Sequence, residues 1–271
     1  MTNKQLAADP IGVFDSGLGG LTVLKALEKI LPNESLIYFG DTAHLPYGSK
    51  SADTVIAYSQ HITEFLLEHK VKLVVIACNT ASSLALEKMK ETFDIPIFDV
   101  VSPSVEYSIK KTKSKKVGII GTLATINSKA YENYFKVMDS SIQTTSISCP
   151  LFVPLIEEGW ADTDVAREVA EIYLQGLTET EIDTLILGCT HYPIMENMIR
   201  SVLSSKIQLV LSGDAVGRQI KQYQEKFNLT NPTGKSKEEL FFVTDFPQKF
   251  DELGSRFLGR KLTGVKHISL L

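Results

Sequence analysis

Val74-Val75-Ile76-Ala77-Cys78-Asn79-Thr80 and Leu185-Ile186-Leu187-Gly188-Cys189-Thr190-His191 share one plan: an apolar run, a cysteine, then a polar turn. A short apolar run bounded by turn residues reads as a buried strand, which puts each cysteine at a carboxyl end. In open α/β sheets ligands bind outside that end. The two stretches therefore predict a mainly parallel sheet in each half of the chain, with one thiol presented from each.

Strand and helix patterns alternate outward from these stretches. Ile11-Gly12-Val13-Phe14 is apolar and ends in Asp15-Ser16-Gly17-Leu18-Gly19-Gly20; a helical pattern runs from Leu21 to about Ile30, closed by Pro32. Leu36-Ile37-Tyr38-Phe39 leads into a turn-rich segment from Gly40 to Gly48, and an amphipathic helix spans about Ala52 to His69. After Cys78 a helix is expected from about Ser82 to Thr92, then a strand from Ile95 to Val101.

The second half repeats this order. Val117 to Thr122 matches the first strand, Thr144 to Ser148 the second, and Cys149 to Pro154 reads as a loop. A helix from about Thr163 to Leu177 precedes Leu185 to Gly188, and Ile207 to Leu211 is the fourth strand. Val13 lies 106 residues before Ile119, Cys78 lies 111 before Cys189, and Ile97 lies 112 before Leu209. Offsets that drift so little indicate a duplicated unit. The expected fold is α/β: two similar βαβ-type domains with mainly parallel sheets, related by a pseudo-twofold, with the active site in the cleft between them. The break at Ser102-Pro103 puts the boundary near 101. Residues 1–101 with 213–271 then form one domain and residues 102–212 the other. The tail, with a helix over Ala215 to Phe227, a polar loop over Asn228 to Lys237, a strand over Leu240 to Thr244 and a last helix, is expected to pack back on the first half.

The chain has 271 residues, 44% hydrophobic and 22% charged, with a formal net charge of −4. That composition supports a sizeable core, and the acidic balance argues against nucleic acid as a partner. No apolar stretch reaches membrane-spanning length, and Met1 to Pro10 lacks the apolar segment of a signal peptide, so no membrane association and a cytoplasmic location are expected. The run from Lys110 to Lys116 reads as a solvated helix end and loop rather than a site for an anionic partner.

Three cysteines, an odd count with no close-set pair, argue against a disulfide framework. Cys149 precedes a proline in a loop and reads as structural. Cys78 and Cys189 each stand between a strand and an expected helix start, where the helix dipole favours a thiolate and a pKa lowered toward neutral. No zinc spacing surrounds them and no Cys-x-x-Cys redox motif is present, so no metal is expected. The stretch from Gly17 to Gly20 fails as a dinucleotide fingerprint because Thr22 stands where its last glycine belongs; it suits a small anion or a plain tight turn. Asp15, at a strand end, is placed to relay protons or set the protonation state of Cys78. Asn79-Thr80 and Thr190-His191 can grip carboxylate oxygens, cap their helices, or both. His191 is the one histidine beside a candidate thiol and reads as an acid or base partner of Cys189. Tyr47 and Gly48 read as a surface turn or as a segment that closes over a ligand.

Taken together, the stretch from Asp15 to Gly20, Pro46-Tyr47-Gly48, Ala77-Cys78-Asn79-Thr80 and Gly188-Cys189-Thr190-His191-Tyr192-Pro193 resemble the glutamate racemases of the aspartate/glutamate racemase family. The resemblance runs from about Ile11 to Asp214. It implies a cofactor-independent enzyme that interconverts L- and D-glutamate, the D-isomer serving peptidoglycan synthesis, and a homodimer. It implies proton transfer by Cys78 and Cys189, with Asp15 and His191 assisting. It also implies substrate contacts from Asp15, Ser16, Pro46, Tyr47, Gly48, Asn79, Thr80, Thr122, Glu157, Thr190 and His191. Some members carry a longer N-terminal extension tied to activation by a cell-wall precursor; Met1 to Pro10 is too short to suggest it. Two other readings remain: a racemase of aspartate or a related acid, and a non-catalytic two-lobed protein that closes on a small anion.

Overall fold

The computed structural model describes residues 3–234 and 239–269. In chain order the first half contains α1 (Asn3–Ala8), β1 (Ile11–Asp15), α2 (Leu21–Ile30), β2 (Leu36–Gly40), α3 (Ala52–Glu68), β3 (Leu73–Ile76), α4 (Asn79–Thr92) and β4 (Ile97–Phe98). The second contains α5 (Ser102–Lys111), β5 (Lys116–Gly121), α6 (Leu123–Asn127), α7 (Ala130–Met138), β6 (Gln143–Ser148), α8 (Phe152–Glu157), α9 (Asp164–Thr178), β7 (Thr184–Gly188), α10 (Glu196–Val202) and β8 (Gln208–Leu211). The tail adds α11 (Ser212–Phe227), β9 (Leu240–Val243), α12 (Pro247–Leu258) and β10 (Val265–His267).

Two parallel sheets result. The first has strand order β10-β9-β2-β1-β3-β4 and the second β6-β5-β7-β8, so the second repeats the β2-β1-β3-β4 order of the first. The registers repeat too. Val13 pairs with Val75 and Ile119 with Ile186; Val74 pairs with Ile97 and Leu185 with Leu209. Those pairs are related by the same offsets that run through the sequence, so the fold is α/β with two similar halves. β1, β2, β3 and β7 are buried along their whole length. That is the pattern of parallel strands covered by helices on both faces, and it explains their continuous apolar runs.

The tail extends the first sheet: β9 pairs with β2 and β10 with β9, while α12 packs on α2. α11 lies across α2 and α5, joining the halves. The polar loop expected over Asn228 to Lys237 is described only as far as Gly234; the remainder falls outside the described residues.

Three local expectations change. The strand expected over Ile95 to Val101 shrinks to Ile97–Phe98, because the Asp99 carboxylate accepts from the backbone N–H groups of Val101 and Ser102 and turns the chain into α5. Ser102-Pro103 therefore opens a helix; proline fits the first turn, where its missing N–H has no partner to lose. Cys149 to Pro154 is not all loop, since α8 begins at Phe152 with Pro154 again in a first turn. No helix among the described residues is long and apolar enough to cross a membrane.

Candidate active site

The carboxyl ends of β1, β3, β5 and β7 face one another across a cavity of about 440 Å³. Both Cys78 and Cys189 line it. The first half adds Ser16, Pro46, Tyr47, Gly48, Asn79 and Thr80 to its wall; the second adds Thr122, Glu157, Thr190 and His191. The chain thus brings residues from both halves of the sequence onto one concave surface.

Cys78 ends β3's turn and is the N-cap of α4, its sulfur accepting the Ala81 N–H at 3.5 Å. Its thiol donates to Ser16 Oγ at 3.7 Å. The helix begins three residues earlier than expected, so Asn79 and Thr80 lie inside its first turn and the cysteine does the capping. The expectation of a lowered pKa is not met here. Burial, then the charge of Asp15, push the Cys78 thiol up to about 12, and the Ala81 and Ser16 hydrogen bonds only partly offset them.

Cys189 has different neighbours. A 3-10 turn, Tyr192–Met195, follows before α10, so no α-helix starts directly at this sulfur. Its partner is His191 Nδ1 at 3.9 Å. The opposite ring nitrogen, Nε2, bonds Glu157 Oε1 at 3.1 Å, making a Glu157–His191–Cys189 chain. Burial opposes a charge on His191, but Cys189 and Glu157 outweigh it and push the imidazole up to about 10. Glu157 is likewise held below the usual carboxylate range: burial works against its ionisation, and the His191 bond and charge, with Lys249, prevail. Phe257, on α12, closes this corner with its ring edge-on to the imidazole at 5.5 Å.

Asp15 does not reach the cavity wall. It is fully buried behind it, accepting from the Gly17 N–H at 2.9 Å and from Thr190 Oγ1 at 3.4 Å. Burial raises its pKa, against the pull of His191. It stands beneath both thiols' turns and acts on Cys78 through charge. Gly19 is required where these turns meet: a Cβ there would lie 2.2 Å from Thr190 Oγ1 and 2.4 Å from His191 Nδ1.

Several side chains expected to grip a ligand already have protein partners. The Tyr47 hydroxyl donates to Asp41 Oδ2 at 2.6 Å. Asn79 Nδ2 donates to Tyr131 and Ser212. Thr80 Oγ1 meets Thr122 Oγ1 at 3.0 Å across the cleft, and Thr122 caps α6. Cys149 is buried, bonded to the Ile147 carbonyl at 3.9 Å, and absent from the cavity wall. His44 bonds Asp41 Oδ1 at 2.7 Å and stacks on Tyr58.

Sequence reasoning passed over Asp41, which anchors Tyr47, and the apolar wall residues Leu45, Leu123 and Val153. Asp41 had a signal: it follows β2 as Asp15 ends β1. The leucines had none. Among the described residues no group of three or more His, Cys, Asp or Glu side chains is arranged to hold a metal ion. The arrangement offers two sulfurs on one cavity, one beside a carboxylate and one beside an imidazole, which suits moving a proton on and off a single small molecule.

Residues 11–220 match the family model described as Asp/Glu/Hydantoin racemase. A glutamate racemase of Geobacter metallireducens is 46% identical over 260 residues, covering 96% of each chain. Among solved structures, glutamate racemase isoform RacE1 from Bacillus anthracis superposes with a TM-score of 0.93 at 33% identity, covering 97% of this chain and 98% of that one. Glutamate racemase from Francisella tularensis, solved in complex with D-glutamate, has a TM-score of 0.90 at 38% identity, with the same coverage of each.

Proposed function

This chain belongs to the Asp/Glu/Hydantoin racemase family, and we propose on that footing that it interconverts L- and D-glutamate by proton transfer at Cα between Cys78 and Cys189. The observation that carries the reading is the shared cavity: two sulfurs from equivalent turns of a duplicated unit, opening on one space. Glutamate lies there with Cα between them. One sulfur, as thiolate, removes the α-proton; the other, as thiol, delivers a proton to the opposite face. The reverse direction exchanges the roles, so atoms and charge balance with no added reagent and no cofactor.

The two sulfurs must start in different protonation states. Burial and Asp15 favour the neutral thiol at Cys78, and the His191 imidazolium stands ready to face a thiolate at Cys189. Glu157 keeps His191 charged and oriented. The carbanion that forms is held by preorganised dipoles in a space that excludes water. Ser16, Pro46, Tyr47, Gly48, Asn79, Thr80, Thr122 and Thr190 shape the surface for the substrate. Asp15 acts from behind it.

We take residues 1–101 with 213–271 and residues 102–212 as the two units that the cleft separates. The protein works as a cytoplasmic homodimer and supplies D-glutamate for peptidoglycan. The test is chiral chromatography of L-glutamate incubated with purified protein and no added cofactor, with L-aspartate in parallel. The expected result is conversion of glutamate toward equal amounts of the two isomers. No D-glutamate would overturn the reading, and faster conversion of aspartate would replace the substrate.

A further inference from the structure

We propose that Tyr131 and Ser212 are positioning residues: through Asn79 they form a buried strut that sets the separation of Cys78 from Cys189. The inference rests on the reading of both sulfurs as proton-transfer groups. Asn79 follows Cys78 at the start of α4, Tyr131 lies on α7, and Ser212 opens α11. Asn79 Nδ2 donates to the Tyr131 hydroxyl oxygen at 2.8 Å and to Ser212 Oγ at 3.2 Å.

The other end of the strut rests beside Cys189. Ser212 Oγ donates to the Leu187 carbonyl at 3.3 Å. The Tyr131 ring lies against Gly188, where an added Cβ would stand 3.2 Å from Cε2 and 3.5 Å from the hydroxyl oxygen. The two residues before one thiol are thereby braced against the residue after the other. All three side chains are buried.

The amide's orientation follows from the bonds. Leu187 takes the Ser212 hydrogen, so Ser212 turns its lone pairs to Asn79, which must present Nδ2. Asn79 Oδ1 is left buried and without a partner. A buried amide with one side unsatisfied is held by its partners and not by its own helix. Nδ2 is committed to Tyr131 and Ser212, so this side chain sets position as well as lining the cavity. Two-sided transfer needs both sulfurs within reach of one carbon, and loosening the brace moves one of them off line.

The experiment compares Tyr131→Phe and Ser212→Ala with the unmodified protein in deuterated water. Inversion needs both sulfurs; deuterium enters unreacted glutamate when the sulfur that removed the proton exchanges it with solvent and then returns a deuteron to the same face, which needs no second sulfur. The expected result is a fall in kcat for racemisation of about tenfold. KM should change much less, and the ratio of exchange to inversion should rise. A ratio unchanged from the unmodified protein, whether both rates fall together or neither falls, overturns the proposal. Tyr131→Phe keeps the ring on Gly188; if it does not fold, Ser212→Ala carries the same test. Failure of the unmodified protein to racemise would instead overturn the functional reading.

Discussion

Cys78 and Cys189 share a cavity, yet a carboxylate stands near the first and an imidazole near the second. That difference has a chemical readout, because the thiolate is the nucleophile. Iodoacetamide at pH 8 is expected to label Cys189 before Cys78, and glutamate to slow both; peptide mass mapping reads the order, and Cys78 labelling first would contradict it. His191 makes a second prediction. Its pKa in the fold is raised from the ordinary 6.5 to about 10. Its bonds therefore stabilise the protein fully below pH 6.5, and that stabilisation is lost as pH rises toward 10. The gap in melting temperature between the unmodified protein and His191→Asn should be widest at pH 6 and shrink by pH 10. A gap that widens with pH would be the wrong sign. The pairing of His191 with Cys189 was legible from adjacency. The upward shift at Cys78 was not, because it comes from depth and from Asp15, 63 positions earlier in the chain.

At the scale of elements, β1, β2, β3 and β7 were legible because a buried parallel strand has to be apolar throughout, whereas β10, a short and largely exposed edge strand, was not foreseen. Short helices were harder. α6 and α7 carry few buried side chains, so their apolar period is weak, and α8 hides behind Pro154. α11 shows what packing demands of composition. Its Gly213 lies so close to α2 that a Cβ would stand 2.9 Å from Ala26 Cβ and 3.0 Å from Val23 Cα. Backbone cannot yield as a flexible side chain would. Gly213→Ala is expected to destabilise the protein by about 1–3 kcal/mol, the usual range for overpacking. Urea unfolding checks it; an unchanged midpoint would mean that α11 can shift off α2 without cost. Since α11 starts at Ser212, the same variant should also lower racemisation.

Across the whole molecule, the tail and the first sheet are tied at a buried ion pair. Lys72 Nζ bonds Glu34 at 2.5 Å and also donates to the carbonyls of Ala7 and Leu229, at 2.7 and 2.9 Å. Glu34 in turn accepts from Gln224 and from the Asn231 backbone, so α1, β3 and the end of α11 meet at one point. Removing one charge leaves the other buried and uncompensated. Lys72→Met should cost about 3–5 kcal/mol, and Lys72→Met with Glu34→Leu should recover much of that. Calorimetric unfolding of both variants tests it; a double variant no better than the single would show that the hydrogen bonds, not the charges, hold the junction. The sequence by itself determined the duplicated α/β plan, the two strand-end cysteines and the family, because burial periodicity and turn chemistry are local and repeat at a steady offset. Only the tertiary structure decided which sulfur feels the charge of Asp15 and which has an imidazole partner, that Asp15 stands behind the wall, and that Asn79 bonds Tyr131 and Ser212. Those are matters of depth and of contact between residues far apart in the chain, and local pattern carries neither.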